Sequence, residues 1–337
     1  MKIAMIGGTG QLGYFTIHRL HAMGHQTLAI GIGQAPEQGY LPDATTVLLR
    51  NTDECGVHEL ADLISGFDVI IHAAGADGRN LFDAPAIHGF RAANVEPIRN
   101  LVAAMKISGA KKLIILGSYY TAMHRMFPHL NIIDKSPYIR SRFEQNQVAF
   151  EEAGPGISVG ILELPYIFGA APKRGTPWGF YIDLLKQSRA VVHVHAGGTA
   201  CITMNQVGIA AAHACEKLEG HKNYPIGNIN LKYKELFEIF SANLDLKRNI
   251  IAMPPSHFAE KARLQSEHLA MAGKEAAYDA LGLLDMEDHD FFIDPAPAAQ
   301  ALGIPPEDIE KAITQTIDAT LKYNGNGLNN SKELLRP

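Results

Sequence analysis

The chain has 337 residues, 47% of them hydrophobic, with 30 Lys and Arg against 35 Asp and Glu for a formal net charge of −5. That is ample length for a sizeable core in one or two domains. The mildly acidic balance, without a Lys/Arg block, argues against nucleic acid or an anionic membrane surface as partner. No apolar run reaches the ~20 residues that a bilayer span needs. Cys55, Cys201 and Cys215 are widely spaced, which fits reduced thiols of a cytoplasmic protein rather than a disulfide framework or a zinc site.

The first element is an apolar strand up to Ile6. It runs into Gly7-Gly8-Thr9-Gly10-Gln11-Leu12-Gly13, after which Ile17, Leu20 and Met23 recur at helical spacing until Gly24 stops the helix. A strand, a glycine triplet and a helix in this order make a cradle for a dinucleotide. Gly7 permits the turn, Gly10 admits the pyrophosphate, Gly13 lets helix and strand pack, and the helix N–H groups face the phosphates. Residues 26–32 and 46–49 read as the second and third strands, and 60–64 as helix. Phe67 to Gly75 is a buried strand ending in small residues. A helix over 90–108 follows, with a bend expected at Pro97, which lacks an N–H for the carbonyl of Ala93 and frees a carbonyl beside Asn94. Strand 112–117, helix 138–153 and strand 158–164 complete the rhythm. Such alternation predicts an α/β fold, a doubly wound parallel sheet of Rossmann type.

Beyond Pro165 the rhythm breaks. Residues 169–179 form a Gly/Pro-rich loop, 204–218 a helix returning to the first domain, and 309–323 a final helix. The Met-, His- and acid-rich stretch 253–290 reads as helical, a lobe over a cleft. The expected division is a nucleotide-binding domain over 1–168 with return segments near 200–230. A smaller, interleaved substrate region covers 169–323, and a disordered Asn/Gly tail covers 324–337.

Three groups of residues carry the candidate chemistry. In Ser136-Pro137-Tyr138-Ile139-Arg140-Ser141-Arg142, Ser136 suits an N-cap and Pro137 a first helical residue. Tyr138 then lies in the first turn with Arg142 one turn on along the same face. A free phenol has a pKa of about 10, and both a fixed cation and a helix N-terminus favour its ionised form. The same spacing also suits a plain Tyr–Arg stack on an exposed helix. Ser118, at the end of an apolar strand, either meets a substrate oxygen or caps the backbone; Tyr119, Tyr120 and Thr121 follow it. His193 and His195 share one strand face with no Cys or acidic residue at ligand spacing, so no metal site is assigned. His18, His21 and His25 decorate the outer face of the first helix.

The loop Gly7-Gly8-Thr9-Gly10-Gln11-Leu12-Gly13, the stretch Asp68-Val-Ile-Ile-His72-Ala73-Ala74-Gly75 and Tyr138-x-x-x-Arg142 together resemble extended short-chain dehydrogenase/reductases of the NAD-dependent epimerase/dehydratase family. The resemblance runs from Lys2 to about Tyr323 and is closest over the first 170 residues or so. It implies an NAD(P)-dependent oxidoreductase in which Tyr138 is the acid–base group and Ser118 holds the substrate carbonyl or hydroxyl. Asn94 would belong to the active-site Asn helix, and Arg142 would supply charge and a ribose contact. Cofactor contacts would come from Gly7, Thr9, Gly10, Gln11, Leu12 and Gly13. Asp53 would face adenine, Ala73, Ala74 and Gly75 the adenosine half, and Tyr138, Arg142 and Pro165 the nicotinamide end.

Four positions depart from the family pattern. Arg142 replaces a lysine and cannot pass a proton on. Glu163 stands where a basic residue is common, and Gln206 where an acid is usual. Gly31 ends the second strand where NAD-preferring members carry an acid, which leans the choice of NADP or NAD towards NADP. Three readings stay open: an oxidoreductase of a small-molecule carbonyl or hydroxyl, a sugar-nucleotide epimerase, and a non-catalytic dinucleotide-binding regulator. The epimerase would need Lys173-Arg174 to grip a pyrophosphate. Dehydration is disfavoured, because Tyr119-Tyr120 stand where its acid–base pair belongs. A homodimer through helices flanking the sheet is consistent with the resemblance.

Overall fold

The computed structural model describes residues 1–323; the tail expected to be disordered lies outside them. In chain order, β1 (Lys2–Ile6) leads to α1 (Gln11–Ala22), β2 (Gln26–Gly31), β3 (Thr46–Leu49), α2 (Val57–Leu63) and β4 (Val69–His72). A short β5 (Phe82–Asp83) precedes α3 (Ile87–Asn94), α4 (Glu96–Ser108) and β6 (Lys112–Ser118). Then come α5 (Tyr120–Met126), α6 (Pro137–Ala153), β7 (Ser158–Leu164) and β8 (Tyr166–Phe168). The second half holds α7 (Gly179–Gln187), β9 (Val191–His195), β10 (Gly198–Thr203), α8 (Met204–Lys217), β11 (His221–Pro225), β12 (Ile229–Lys232) and α9 (Tyr233–Asn243). It ends with β13 (Asn249–Met253), α10 (Ala259–Met271), β14 (Lys274–Glu275), α11 (Ala280–Glu287), β15 (Asp290–Phe291), α12 (Ala296–Leu302) and α13 (Ile309–Tyr323).

Seven strands form one parallel sheet in the order β11-β7-β6-β4-β1-β2-β3. Alternation along each strand sends side chains to opposite faces. Ile3, Met5, Ile71 and Leu116 pack under α1, α8 and α12. Ala4, Ile6, Ile70 and Ile115 pack under α2, α4 and α6. Buried on both faces, these strands read as continuous apolar runs. Strand β10 carries β8, β12 and β15 in a second, four-stranded sheet, and β9 pairs with β13.

Local chemistry sets the element ends. Ser136 accepts from Ile139 N at 3.0 Å and caps α6. The helix expected over 90–108 is two helices that meet at Val95, with Pro97 in the first turn of α4, where a missing N–H costs nothing. The stretch 253–290 is not one helix: Lys274 and Glu275 pair antiparallel with Asp83 and Phe82 and split it into α10 and α11. Among the described residues, no helix is long and apolar enough to cross a membrane.

Candidate active site

Strand order reverses between β1 and β4, so a crevice opens beyond their carboxyl ends. Gly7 turns the chain there with φ of +83°, and a Cβ on it would lie 2.8 Å from Ala73 O. A Cβ on Gly13 would come 2.7 Å from Gly7 O, so only glycine lets α1 sit this close to the turn. Gly10 is the N-cap of α1 without a side-chain cap, and the first helical bond runs from Tyr14 N to Gly10 O at 2.9 Å. The N–H groups of Gln11, Leu12 and Gly13 therefore precede the helical ladder, an arrangement that suits a phosphate. The residues present fit a dinucleotide here.

Two loops close on this turn. The Gln11 side chain donates to Gly175 O at 2.9 Å and accepts from Ala171 N at 3.3 Å. The Tyr40 hydroxyl donates to Gly10 O at 3.3 Å, and the Arg174 guanidinium lies 5.3 Å over the Tyr40 ring. Lys173 pairs with Glu37 at 2.5 Å. Lys173 and Arg174, the pair that an epimerase would need for a pyrophosphate, here contact the β2–β3 loop through Glu37 and Tyr40.

At the end of β2, a Cβ on Gly31 would meet Thr9 Cβ and Cγ2 at 2.8 Å and the Thr9 hydroxyl closer still. The missing acid at position 31 thus has a steric counterpart in Thr9. Arg50 N donates to Gly31 O at 2.8 Å, which brings the end of β3 alongside. Asp53 is exposed in the turn after β3, where its N–H donates to Asn51 Oδ1 at 3.3 Å.

The catalytic candidates lie in two groups, Asn94, Tyr138 and Arg142 beside the turn after β4 and Ser118 at the carboxyl end of β6. Asn94 is fully buried. It accepts from Ala76 N at 2.8 Å and donates to Ser141 Oγ at 2.9 Å, and Ser141 donates to Tyr138 O at 2.8 Å. Asn94 thereby ties the turn after Ala73, Ala74 and Gly75 to the turn that bears Tyr138. The Asn94 carbonyl, next to the Ala93 carbonyl that Pro97 cannot reach, accepts from Gln145 Nε2 at 2.7 Å. Arg142 lies 5.7 Å over the Tyr138 ring and donates to Gln145 Oε1 at 3.0 Å and Ala76 O at 3.2 Å. Its Nε is buried without a partner, as is Nδ1 of His72. Burial first, and the Arg142 charge second, lower the His72 pKa from 6.5 to about 4, so this imidazole is neutral.

Ser118 is buried and accepts from Tyr120 N at 3.4 Å; its strand partner is Leu164, which leads directly into Pro165. Thr121 donates to Ser118 O at 2.9 Å and to the Glu163 carboxylate, and it accepts from Asn146 Nδ2 at 3.3 Å. Glu163 is fully buried and held bidentate by Arg125 at 2.8 and 2.6 Å. A carboxylate at position 163 therefore braces the Ser118 turn against α6.

Other expectations resolve as structural roles. Gln206 completes a capping box with Thr203 at the start of α8, and Glu307 supplies the acid, accepting from Thr203 Oγ1 at 2.6 Å. His193 and His195 share a strand face as expected, but an acid does reach them: His195 pairs with Glu287 at 2.8 Å, and His193 stacks edge-on with His257. His18 is not mere surface decoration, since its Nε2 bonds the Tyr40 carbonyl at 3.0 Å. A recess of 360 Å³ between α1, α8 and α13 is lined by Phe15, Thr203, Glu307 and Lys311, apart from Tyr138.

Sequence reasoning missed Tyr278. Its ring lies 5.9 Å from those of Tyr138 and Tyr120, and Gly78 receives it where a Cβ would stand 2.8 Å from Tyr278 Cζ. Asp279, the N-cap of α11, was the local signal that the chain turns there.

Solved structures share this architecture at low identity. The protein gox2253 is similar over 97% of this chain and 99% of that chain, with TM-score 0.74 and 20% identity. A nucleoside-diphosphate-sugar epimerase from Pseudomonas aeruginosa matches over 96% and 98%, with TM-score 0.69 and 18% identity. UDP-glucose 4-epimerase from Thermotoga maritima matches over 96% and 99%, with TM-score 0.67 and 14% identity. None of the curated proteins matches the chain. The model of the NAD dependent epimerase/dehydratase family matches residues 3–202, and to that family of enzymes the chain belongs.

Proposed function

We propose that the protein catalyses NAD(P)-dependent hydride transfer to or from a carbonyl or hydroxyl carbon of a small molecule, with Tyr138 as its acid–base group. The observation that carries this reading is the set of bonds Ala76–Asn94–Ser141–Tyr138, which joins the turn after β4 to the main-chain carbonyl of Tyr138 in the first turn of α6 and so fixes the turn that bears the phenol. A bound nicotinamide supplies or takes the hydride. In the reducing direction the carbonyl carbon gains that hydride, while Ser118 donates a hydrogen bond to the oxygen and Tyr138 gives it a proton. Tyr138 stands in the first turn of α6 with the Arg142 guanidinium over its ring. Arg142 holds the turn through Ala76 and does not relay the proton.

With no carboxylate at position 31 to repel a 2′-phosphate, the reading favours NADP over NAD. Parallel fluorescence titrations with NADPH and NADH test this, and tighter NADH binding would reject it. Tyr138→Phe is expected to abolish NAD(P)H oxidation in a carbonyl screen while leaving cofactor affinity within about twofold; normal turnover in that variant would sink the assignment.

Epimerisation of a sugar nucleotide uses the same hydride step, and it is supported by the nature of two of the similar structures, both sugar-nucleotide epimerases. Against it stands the engagement of Lys173 and Arg174 with the β2–β3 loop. Conversion of UDP-glucose by the purified protein would decide for it.

A further inference from the structure

Tyr138 is 7% exposed and Tyr120 8%, so a substrate reaches the phenol only if a neighbouring group gives way. The groups around it are held differently. Phe90, with its ring 5.8 Å from Tyr138, is fully buried on α3, and Tyr120 is rooted in the first turn of α5. Tyr278 stands on the short connection between β14 and α11 and is partly exposed. Its backbone is pinned on both sides. Ala277 O accepts from Tyr138 N at 3.3 Å and from Ser136 Oγ at 2.6 Å, and Asp279 N donates to Lys135 O at 2.8 Å. With the main chain held on both sides, uncovering Tyr138 on this side requires rotation of the Tyr278 ring out of its seat at Gly78.

Arg142, over the Tyr138 ring, has no carboxylate partner among the described residues and is held by Gln145 and Ala76; the other cations nearby are already paired. Lys135 pairs with Asp285 at 2.5 Å and Lys274 with Asp83 at 2.7 Å; Arg79 pairs with Asp77, Arg140 with Asp134 and Arg125 with Glu163. A diphosphate arriving here would have to break such pairs. The rings of Tyr120, Tyr138 and Phe291, by contrast, offer apolar faces and edges to another ring.

We propose that Tyr278 is a specificity-determining residue: its ring covers Tyr138, turns aside for the substrate, and packs against a ring carried by a neutral carbonyl or alcohol. The inference rests on the hydride-transfer reading and names the substrate class for it. The test uses the full chain with NADPH bound and follows the nicotinamide fluorescence as 1-phenylethanol, which cannot react with NADPH, or UDP-glucose is added. Saturable binding of 1-phenylethanol and none of UDP-glucose is expected. Tyr278→Ala should weaken 1-phenylethanol at least tenfold, Tyr278→Phe should retain it, and Gly78→Ala, which unseats the ring, should weaken it without removing it. NADPH affinity should stay within about twofold throughout. Binding of UDP-glucose, no binding of 1-phenylethanol, or an unchanged affinity in Tyr278→Ala would each overturn the proposal. Failure of the hydride-transfer reading looks different: 1-phenylethanol binds, yet neither NADPH nor NADH shows Tyr138-dependent oxidation with acetophenone.

Discussion

His72 shows how one buried residue writes itself into the pH response. Its pKa is about 4 in the fold, against about 6.5 for a free imidazole. Above pH 6.5 or so neither state is protonated and the residue costs nothing. As pH falls below that, the unfolded chain takes a proton that the folded one refuses, and stability drops by about 3 kcal/mol by pH 4. Below pH 4 both states are charged and the loss stops growing. Denaturant unfolding at pH 7.5 and 4.5 should therefore show a smaller drop in His72→Gln than in the wild type; equal drops would remove His72 as the source. The candidates that sequence alone nominates, Ser118, Asn94 and Tyr138, share one property: each is marked by its own strand end, cap or motif. Tyr278 has no such mark, because its partner Tyr138 lies in a different element and only the folded chain brings them together.

Among the elements, those with a strong local signal matched the expected bounds: β3, β7 and α13 begin and end where the apolar pattern does. The stretch 253–290 did not, because the pairing of β14 with β5 overrides a helical composition, and long-range strand pairing leaves no trace in local periodicity. The caps offer sharper tests. Thr203→Ala removes both the α8 capping box and the bond to Glu307, and should cost about 1 kcal/mol. That corresponds to a melting temperature lower by about 2 °C, and no change would mean the box is redundant. Arg125→Met leaves the fully buried Glu163 without its bidentate partner and should cost about 3 kcal/mol. Arg125→Met combined with Glu163→Gln should recover much of that loss. If the double variant unfolds as readily as the single one, the charge is not what matters.

For the whole molecule, the doubly wound sheet was readable because both faces of every central strand are buried. The loops that meet over the glycine turn were not, since Gln11, Tyr40 and Arg174 come from three separate stretches. Their meeting predicts slow cofactor exchange. Glu37→Gln, which cuts the exposed link to Lys173, should raise the NADH release rate several-fold in stopped-flow fluorescence and leave the melting temperature nearly unchanged. An unaltered release rate would show that the loops move together without that link.

The fit of Thr9 into the space beside Gly31 also constrains how this enzyme can change over generations. An ancestor or descendant holding the adenosine ribose with an acid at position 31 cannot be one substitution away. Gly31→Asp made first collides with Thr9 and damages the turn that every cofactor needs. Thr9→Gly made first empties the space at modest cost, and only then can the acid enter. An acid at position 31 therefore fits only after residue 9 has given up its side chain.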